Sequence, residues 1–303
     1  EDEWDLDSNY ILMNNLDFND DDCYVNPSEI IDANGDGTSS AIKAELTEGI
    51  GWDPIGDDVN EFTGYFNGND KTISGLFINQ SPNILRNIGL FAYIESNGTI
   101  TRLKLLDVEI IGHINVGAIA GSNAGSITKC YSSVKIEAFI DAGGIAGINE
   151  GTITNSHSTG DISAHSYAGG IAGSNSGTIE NSYSAGDIKA NIAIAGGIAG
   201  YNLGTITNSY STGNIIAKDI AGGIVGDNES SSGTITNSYS TGNITAVESN
   251  AGGIAGSNHR GTITNSCAYN NKIEGNNYAN RVVGYNGSGT LTNNYAKDGM
   301  IVQ

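Results

Sequence analysis

Between Gly117 and Asn286 the chain sets one branched apolar residue at nearly fixed intervals and surrounds it with glycine, alanine and small polar residues. Gly143 to Gly160 reads GGIAGINEGTITNSHSTG and Gly169 to Gly186 reads GGIAGSNSGTIENSYSAG, with further copies opening at Gly196, Gly222 and Gly252. The glycine of each Ala-Gly or Val-Gly step marks the phase. Gly121, Gly147, Gly173, Gly200, Gly226, Gly256 and Gly284 are spaced by 26, 26, 27, 26, 30 and 28 residues. Repeats of this length build solenoids, propellers or linear arrays.

Each period holds three apolar bursts, such as GGIAG, GTITNSYS and GNITA, too short for a helix and alternating apolar with polar residues as strands do. Glycine and asparagine between them are expected to supply the positive φ angles of sharp corners. The pattern therefore predicts an all-β, right-handed parallel β-helix of about 26-residue coils with three short strands each, stacked at about 4.8 Å. Handedness follows from the usual crossover preference, since periodicity alone does not set it.

Stacking aligns equivalent residues into columns. Ile119, Ile145, Ile171, Ile198, Ile224 and Ile254 form the first predicted core column, and Ile127, Ile153, Ile179, Ile206, Ile235 and Ile263 the second. Ile136, Ile162, Ile188, Ile215, Ile244 and Ile273 form the third. Two asparagine columns are expected at corners, one from Asn123 to Asn286 and one from Asn155 to Asn293, where stacked amides bond to each other and to turn backbone.

Composition agrees with narrow coils: of 303 residues 43 are glycine and only 6 phenylalanine. The formal net charge is -21. Eighteen acidic residues precede Phe62 against one base, Lys43, which argues against nucleic-acid or anionic-membrane partners. No apolar run is long enough to span a bilayer, and Glu1 opens no signal peptide, so a mature chain or a fragment is expected. Cys130 and Cys267 fall five coils apart, roughly 24 Å, too far for a disulfide. Cys23 lies earlier still, and no Cys/His spacing suggests a metal site.

Residues 1–88 read as a capping region with an acidic excursion at 19–49, and residues 89–303 as the repeat, in one continuous elongated domain. Trp4, Trp52, Phe62, Phe66, Phe77 and Phe91 are expected to widen and seal that end of the prism.

The order WDPIG (52–56), FTGYFNGNDKTISGLFIN (62–79), NIGLFAYI (87–94) and then reiterated GGIAGxNxGTITNSYSTG resembles the GLUG-repeat family of bacterial and archaeal surface proteins. The resemblance runs from Tyr10 over nearly the whole chain. It implies a secreted or cell-surface, adhesin-like protein with a β-helical fold. Similar segments accompany immunoglobulin A proteases of the M26 type outside their catalytic part, and this chain has no HExxH, so that peptidase activity does not carry over. The excursion at 19–49 departs from the family's compact opening.

Several residue sets could carry chemistry. Asp32, Asn34, Asp36 and Thr38 match the opening of a calcium loop, but Lys43 stands where an EF-hand has its bidentate Glu, and a solvated Asx-rich turn is the alternative. Tyr131, His157, Tyr183, Tyr210 and Tyr239 form an aromatic column that either holds a glycan or stacks on itself. Asp161 and Asp187 would sit about 5 Å apart on adjacent coils, as glycosidase carboxylates do, or serve as a surface ladder relieved by Lys135. His113, His165 and His259 are expected at different coil positions, without a partner Ser or Cys. The paired threonines of each Thr-Ile-Thr strand are similar to the arrays of ice-binding solenoids, with Glu180 breaking the row.

Three classes remain: a non-enzymatic structural or adhesive surface protein, a carbohydrate-active β-helix enzyme, and an ice-binding solenoid. No catalytic constellation is legible. Expected partners are surface glycans or proteins, or like subunits pairing head to tail through the uncapped strand Gly299-Met300-Ile301-Val302-Gln303, in an extracellular setting without membrane insertion. Calcium, if bound at Asp32 to Thr38, bridges charges that otherwise repel. The melting temperature then rises more with calcium than with sodium of equal ionic strength; equal effects of the two salts remove the site.

Overall fold

A computed structural model of the chain describes residues 5–18, 51–80 and 86–303. One coil shows the architecture: strands Asp141–Gly143, Ala146–Asn149, Thr152–Thr154, His157–Ser158 and Ile162–Ala164 follow one another around a narrow prism. Each pairs in parallel with its counterpart in the next coil, for example Ile153 with Ile179 and Ile179 with Ile206. The fold is a parallel β-helix of about eight coils.

The three bursts of the sequence resolve into five strand segments per coil. The Gly-Gly step divides the first burst at a corner, and the left-handed Asn155 and its equivalents divide the second.

All three isoleucine columns point inward and are between 0% and 1% exposed. With three such residues per coil and alanine or glycine beside them, the interior is filled by side chains and holds no channel. The predicted aromatic seal is present at the N-terminal end: Trp52, Phe62, Phe66 and Phe91 are buried, with Phe62 and Phe91 ring centroids 4.8 Å apart. Phe77 is half-buried beside them, and Trp4 lies outside the described residues. The Thr-Ile-Thr sheet runs without a break from Asn9–Ile11 through Tyr65–Asn67 and Thr99–Thr101 to Thr290–Thr292, so its ladder crosses residue 88 in register.

The corners differ from expectation in an instructive way. Asn155, Asn181, Asn208, Asn237, Asn265 and Asn293 do adopt φ between 50° and 53°. The repeat glycines do not: among the described glycines positive φ occurs only at Gly51, Gly56, Gly75 and Gly299. Space, not dihedral freedom, selects glycine there. A Cβ on Gly222 would lie 2.5 Å from the Gly256 backbone nitrogen, and one on Gly197 would run into the Gly223 carbonyl of the next coil.

Two substitutions test this packing. Ile198→Asp places a carboxylate between two coils with no partner and abolishes cooperative unfolding, read by circular dichroism during urea titration. Gly197→Ala, at ordinary φ, costs on the order of 1–3 kcal/mol by overpacking, measured as a lower urea midpoint at unchanged slope.

Candidate functional site

The fold turns single repeat positions into side-chain ladders, and nearly all the polar chemistry sits in them. The first asparagine column is buried: Asn123, Asn149, Asn175, Asn202, Asn228 and Asn258 are at most 1% exposed. Asn123 Nδ2 donates to Asn149 Oδ1 at 2.8 Å, Asn149 to Asn175 at 2.8 Å, and Asn258 to Asn286 at 2.9 Å. The same nitrogen also reaches a corner carbonyl, as Asn202 does to Gly204 at 3.1 Å. The two asparagine columns thus do different work: one is an internal amide ladder, the other supplies left-handed bends.

A serine column completes the framework, and its sequence signal is the serine after each left-handed asparagine from Asn155 to Asn265, with Asn294 in its place after Asn293. Ser182 Oγ donates to the Glu180 carbonyl at 2.9 Å and accepts the Ser156 amide at 3.2 Å. Ser209 and Ser238 repeat this. Cys130 takes the first serine position and donates its amide to Ser156 Oγ at 3.1 Å. It is buried with its thiol pushed up to about 12 by desolvation, and both Cys130 and Cys267 are free.

Asp161 and Asp187, read as either a carboxylate pair or a surface ladder, serve as rungs of a ladder that holds backbone. The Asp187 amide donates to Asp161 Oδ1 at 3.0 Å, the Asn214 amide to Asp187 Oδ1 at 2.8 Å, and the Asn243 amide to Asn214 Oδ1 at 3.1 Å. Carboxylates used as acceptors for the next coil are held by the backbone they serve.

The aromatic column is a continuous stack. Centroids are 4.6 Å apart for Tyr131 and His157, 4.5 Å for His157 and Tyr183, and 4.8 Å for Tyr183 with Tyr210 and for Tyr210 with Tyr239. The last two pairs are within 5° of parallel. Ring faces are therefore spent on neighbours, and the flank shows solvent ring edges and hydroxyls, whereas a sugar stacks on a face. A second stack corrects the reading of the histidines: His113 and His165 occupy one column and sandwich Phe139 at 4.9 and 4.7 Å. Only His259 stands apart from them.

Two carboxyls are buried, Asp141 and Asp227. Asp141 accepts a hydrogen bond from Ser174 Oγ, and burial raises its pKa. Asp227 is 7% exposed, with one oxygen 3.7 Å from His259 Nε2 and the other without a hydrogen-bond partner among the described residues. Desolvation pushes it up to about 6, with the nearby imidazole opposing. Tyr201 and Ser257 flank it on adjacent coils.

Asp32, Asn34, Asp36 and Thr38 lie outside the described residues. Among the described residues no group of three His, Cys, Asp or Glu side chains could hold a metal, and no helix is long and apolar enough to cross a membrane.

These features define a repeat solenoid stapled by side-chain ladders. The family described as the GLUG motif matches residues 140–163, 164–189 and 193–216, so three consecutive coils of this chain are GLUG repeats. It is 43% identical over 83 residues to a protein provisionally named a Gly-rich membrane protein from Evansella cellulosilytica, covering 26% of this chain and 9% of that one. It is 35% identical over 96 residues to halomucin from Haloquadratum walsbyi, covering 31% and 1% respectively. The chain thus spans a small fraction of either relative. A crystal structure provisionally named an immunoglobulin A1 protease from Bacteroides ovatus aligns with 81% of this chain and 73% of its own, at 20% identity and a TM-score of 0.49.

Two outcomes follow from the ladders. Asn175→Ala removes the donor to buried Asn202 Oδ1 and the shortest acceptor of Asn149 Nδ2, and costs on the order of 1–3 kcal/mol, seen as a lower thermal midpoint. For Asp227 the folded pKa lies above the unfolded 3.8, so its protonated form favours folding; stability falls as pH rises from about 4 through about 6 and stays low above. Asp227→Asn therefore raises the melting temperature relative to wild type at pH 7.5 and loses that advantage near pH 4.

Proposed function

We propose that the chain is a non-enzymatic scaffold at the outer cell surface, a stiff repeat rod that presents its flanks to surface glycans or proteins. The observation that carries this reading is the use of the polar groups. The asparagine, serine and Asx columns bond coil to coil, and the aromatic column covers its own ring faces. Such a surface offers recognition by edges and hydroxyls over a long distance but gathers no converging acid, base and nucleophile. The names of the relatives, one a membrane protein, support a surface address.

Contacts on the flank come from repetition: weak sites at a fixed interval gain avidity on a repetitive ligand without any one of them being tight. Calcium ordering of the acidic opening belongs to the same proposal, since an extracellular ion would neutralise that end.

A carbohydrate-active enzyme is the second reading, and Asp227 is the observation that favours it. A carboxyl with its pKa raised to about 6, buried beside Tyr201, has the character of a general acid.

A glycan array run beside a reducing-sugar assay on polysaccharides separates the two. Binding without release of reducing ends, unchanged in Asp227→Asn, is the expected result. Release of reducing ends that Asp227→Asn abolishes establishes the enzyme instead, and antibody labelling that fails on intact cells but succeeds on lysed ones removes the surface address.

A further inference from the structure

Nitrogen-linked glycans attach at Asn-x-Ser/Thr, and in this chain Asn79, Asn97, Asn228, Asn243 and Asn286 open such a triplet without proline at its centre. A chain rich in asparagine, serine and threonine meets that pattern by chance, so the fold has to choose among them. It sets four aside. Asn228 is 0% exposed, a rung of the internal amide ladder. Asn286 is exposed, but its amide is engaged at both ends, accepting from Asn258 Nδ2 at 2.9 Å and donating to the Gly289 carbonyl at 3.1 Å. The Asn243 triplet has Ile244 of the third core column at its centre, so an enzyme that holds this triplet must first pull a coil apart. Asn79 is half-buried in a strand and pairs with Ile111.

Asn97 is placed differently. Between strands Phe91–Ile94 and Thr99–Thr101 the corner is Glu95-Ser96-Asn97-Gly98, where the next coil crosses with Ala124 and Gly125 alone. The extra residues form a β-turn, closed by the Gly98 amide donating to the Glu95 carbonyl at 2.8 Å, with Asn97 at its third position. Ser96 and Asn97 are exposed. The Asn97 backbone amide donates to Glu95 Oε2 at 3.1 Å, and its side-chain amide has no partner among the described residues. Thr99, which completes the triplet, is half-buried on the outward face of its strand, with Ile100 turned to the core. Opening this turn therefore displaces no core side chain.

A second feature singles out the same residue. Glu95 stands two residues before Asn97, so the stretch reads Glu-x-Asn-x-Thr, the acid-preceded acceptor of bacterial oligosaccharyltransferases. Phe77, Gly226, Thr241 and Gly284 hold that place before the other four asparagines. The Ser96 hydroxyl and the Asn97 amide both donate to the Glu95 carboxyl, which holds its pKa below the usual value and keeps it charged.

We propose that Asn97 is an N-glycan acceptor, taking an oligosaccharide from a lipid-pyrophosphate donor outside the cell membrane. A bond forms between Asn97 Nδ2 and the sugar C1 while the bond from C1 to the pyrophosphate oxygen breaks. The lipid pyrophosphate leaves with the electron pair, and the amide proton passes to a carboxylate of the transferase. Use of the site in the cell rests on the surface address proposed above; its competence as an acceptor does not. The scaffold then carries sugar at the first corner of its threonine sheet.

The folded chain, made without glycan in a cytoplasm, is incubated with a bacterial oligosaccharyltransferase and lipid-linked oligosaccharide, beside a synthetic peptide of residues 91–101. Intact and peptide mass spectrometry is expected to show one added glycan, on Asn97, and its loss in Asn97→Gln, whose circular dichroism matches wild type. A folded chain left bare while the peptide is modified overturns the proposal. So does a bare peptide, a glycan on another asparagine, or transfer that survives Asn97→Gln. Because transfer in this assay needs no export, failure of the acceptor is distinguishable from failure of the surface address, which antibody labelling of intact cells decides. A chain that is labelled on intact cells and carries a bare Asn97 overturns the proposal and leaves the address standing.

Discussion

Everything in this molecule depends on the approach of one coil to the next. Parallel strands hydrogen-bond only if the backbones come within about 4.8 Å, and a closed prism requires that approach at every corner as well as along every strand. At the Gly-Gly step the carbonyl of one coil fills the place where the Cβ of the coil before would be. A methyl there crowds the two backbones, and the chain accommodates one at Ala118, in register with Gly144. The period of the sequence is thus a consequence of geometry: whatever satisfies the constraint in one coil satisfies it in the next.

The same constraint explains the ladders. Once equivalent residues sit directly above one another, an interior asparagine has one partner in each direction and satisfies both with one amide, leaving no buried polar atom to pay for along most of the column. A tyrosine on the flank likewise finds its best neighbour in the next tyrosine. Energy is local and repetitive, so stability spreads along the axis instead of concentrating at one centre. Departures stand out against that uniformity: Asp227 with its orphan oxygen, the histidine and phenylalanine sandwich at Phe139, and the Asn280-Arg281 corner each interrupt a column.

The proposed scaffold role rests on the use of polar groups. This fold spreads like groups along a line instead of gathering unlike groups onto one point, and the bonds between coils occupy the polar groups of the columns.

How much of this was legible beforehand can be judged residue by residue. The sequence by itself determined the solenoid, its period, the three isoleucine columns and the aromatic N-terminal seal, because strand periodicity and repeat length are local properties and stacking makes identical residues neighbours. Only the tertiary structure decided what each column does. Asn149 and Asn155 look alike in the repeat, yet one is an internal hydrogen-bonding rung and the other a left-handed bend, since burial and φ depend on which side of the corner each occupies. Gly197 reads as a corner that needs a positive φ and is in fact a close contact, because the carbonyl it avoids lies in the following coil. His113, Phe139 and His165 lie 26 positions apart, one regular period each, so their column follows from the repeat itself, whereas the depth of Asp227 depends on the coils packed around it. Repetition fixes which residues meet; the corner geometry fixes on which side of the wall they meet.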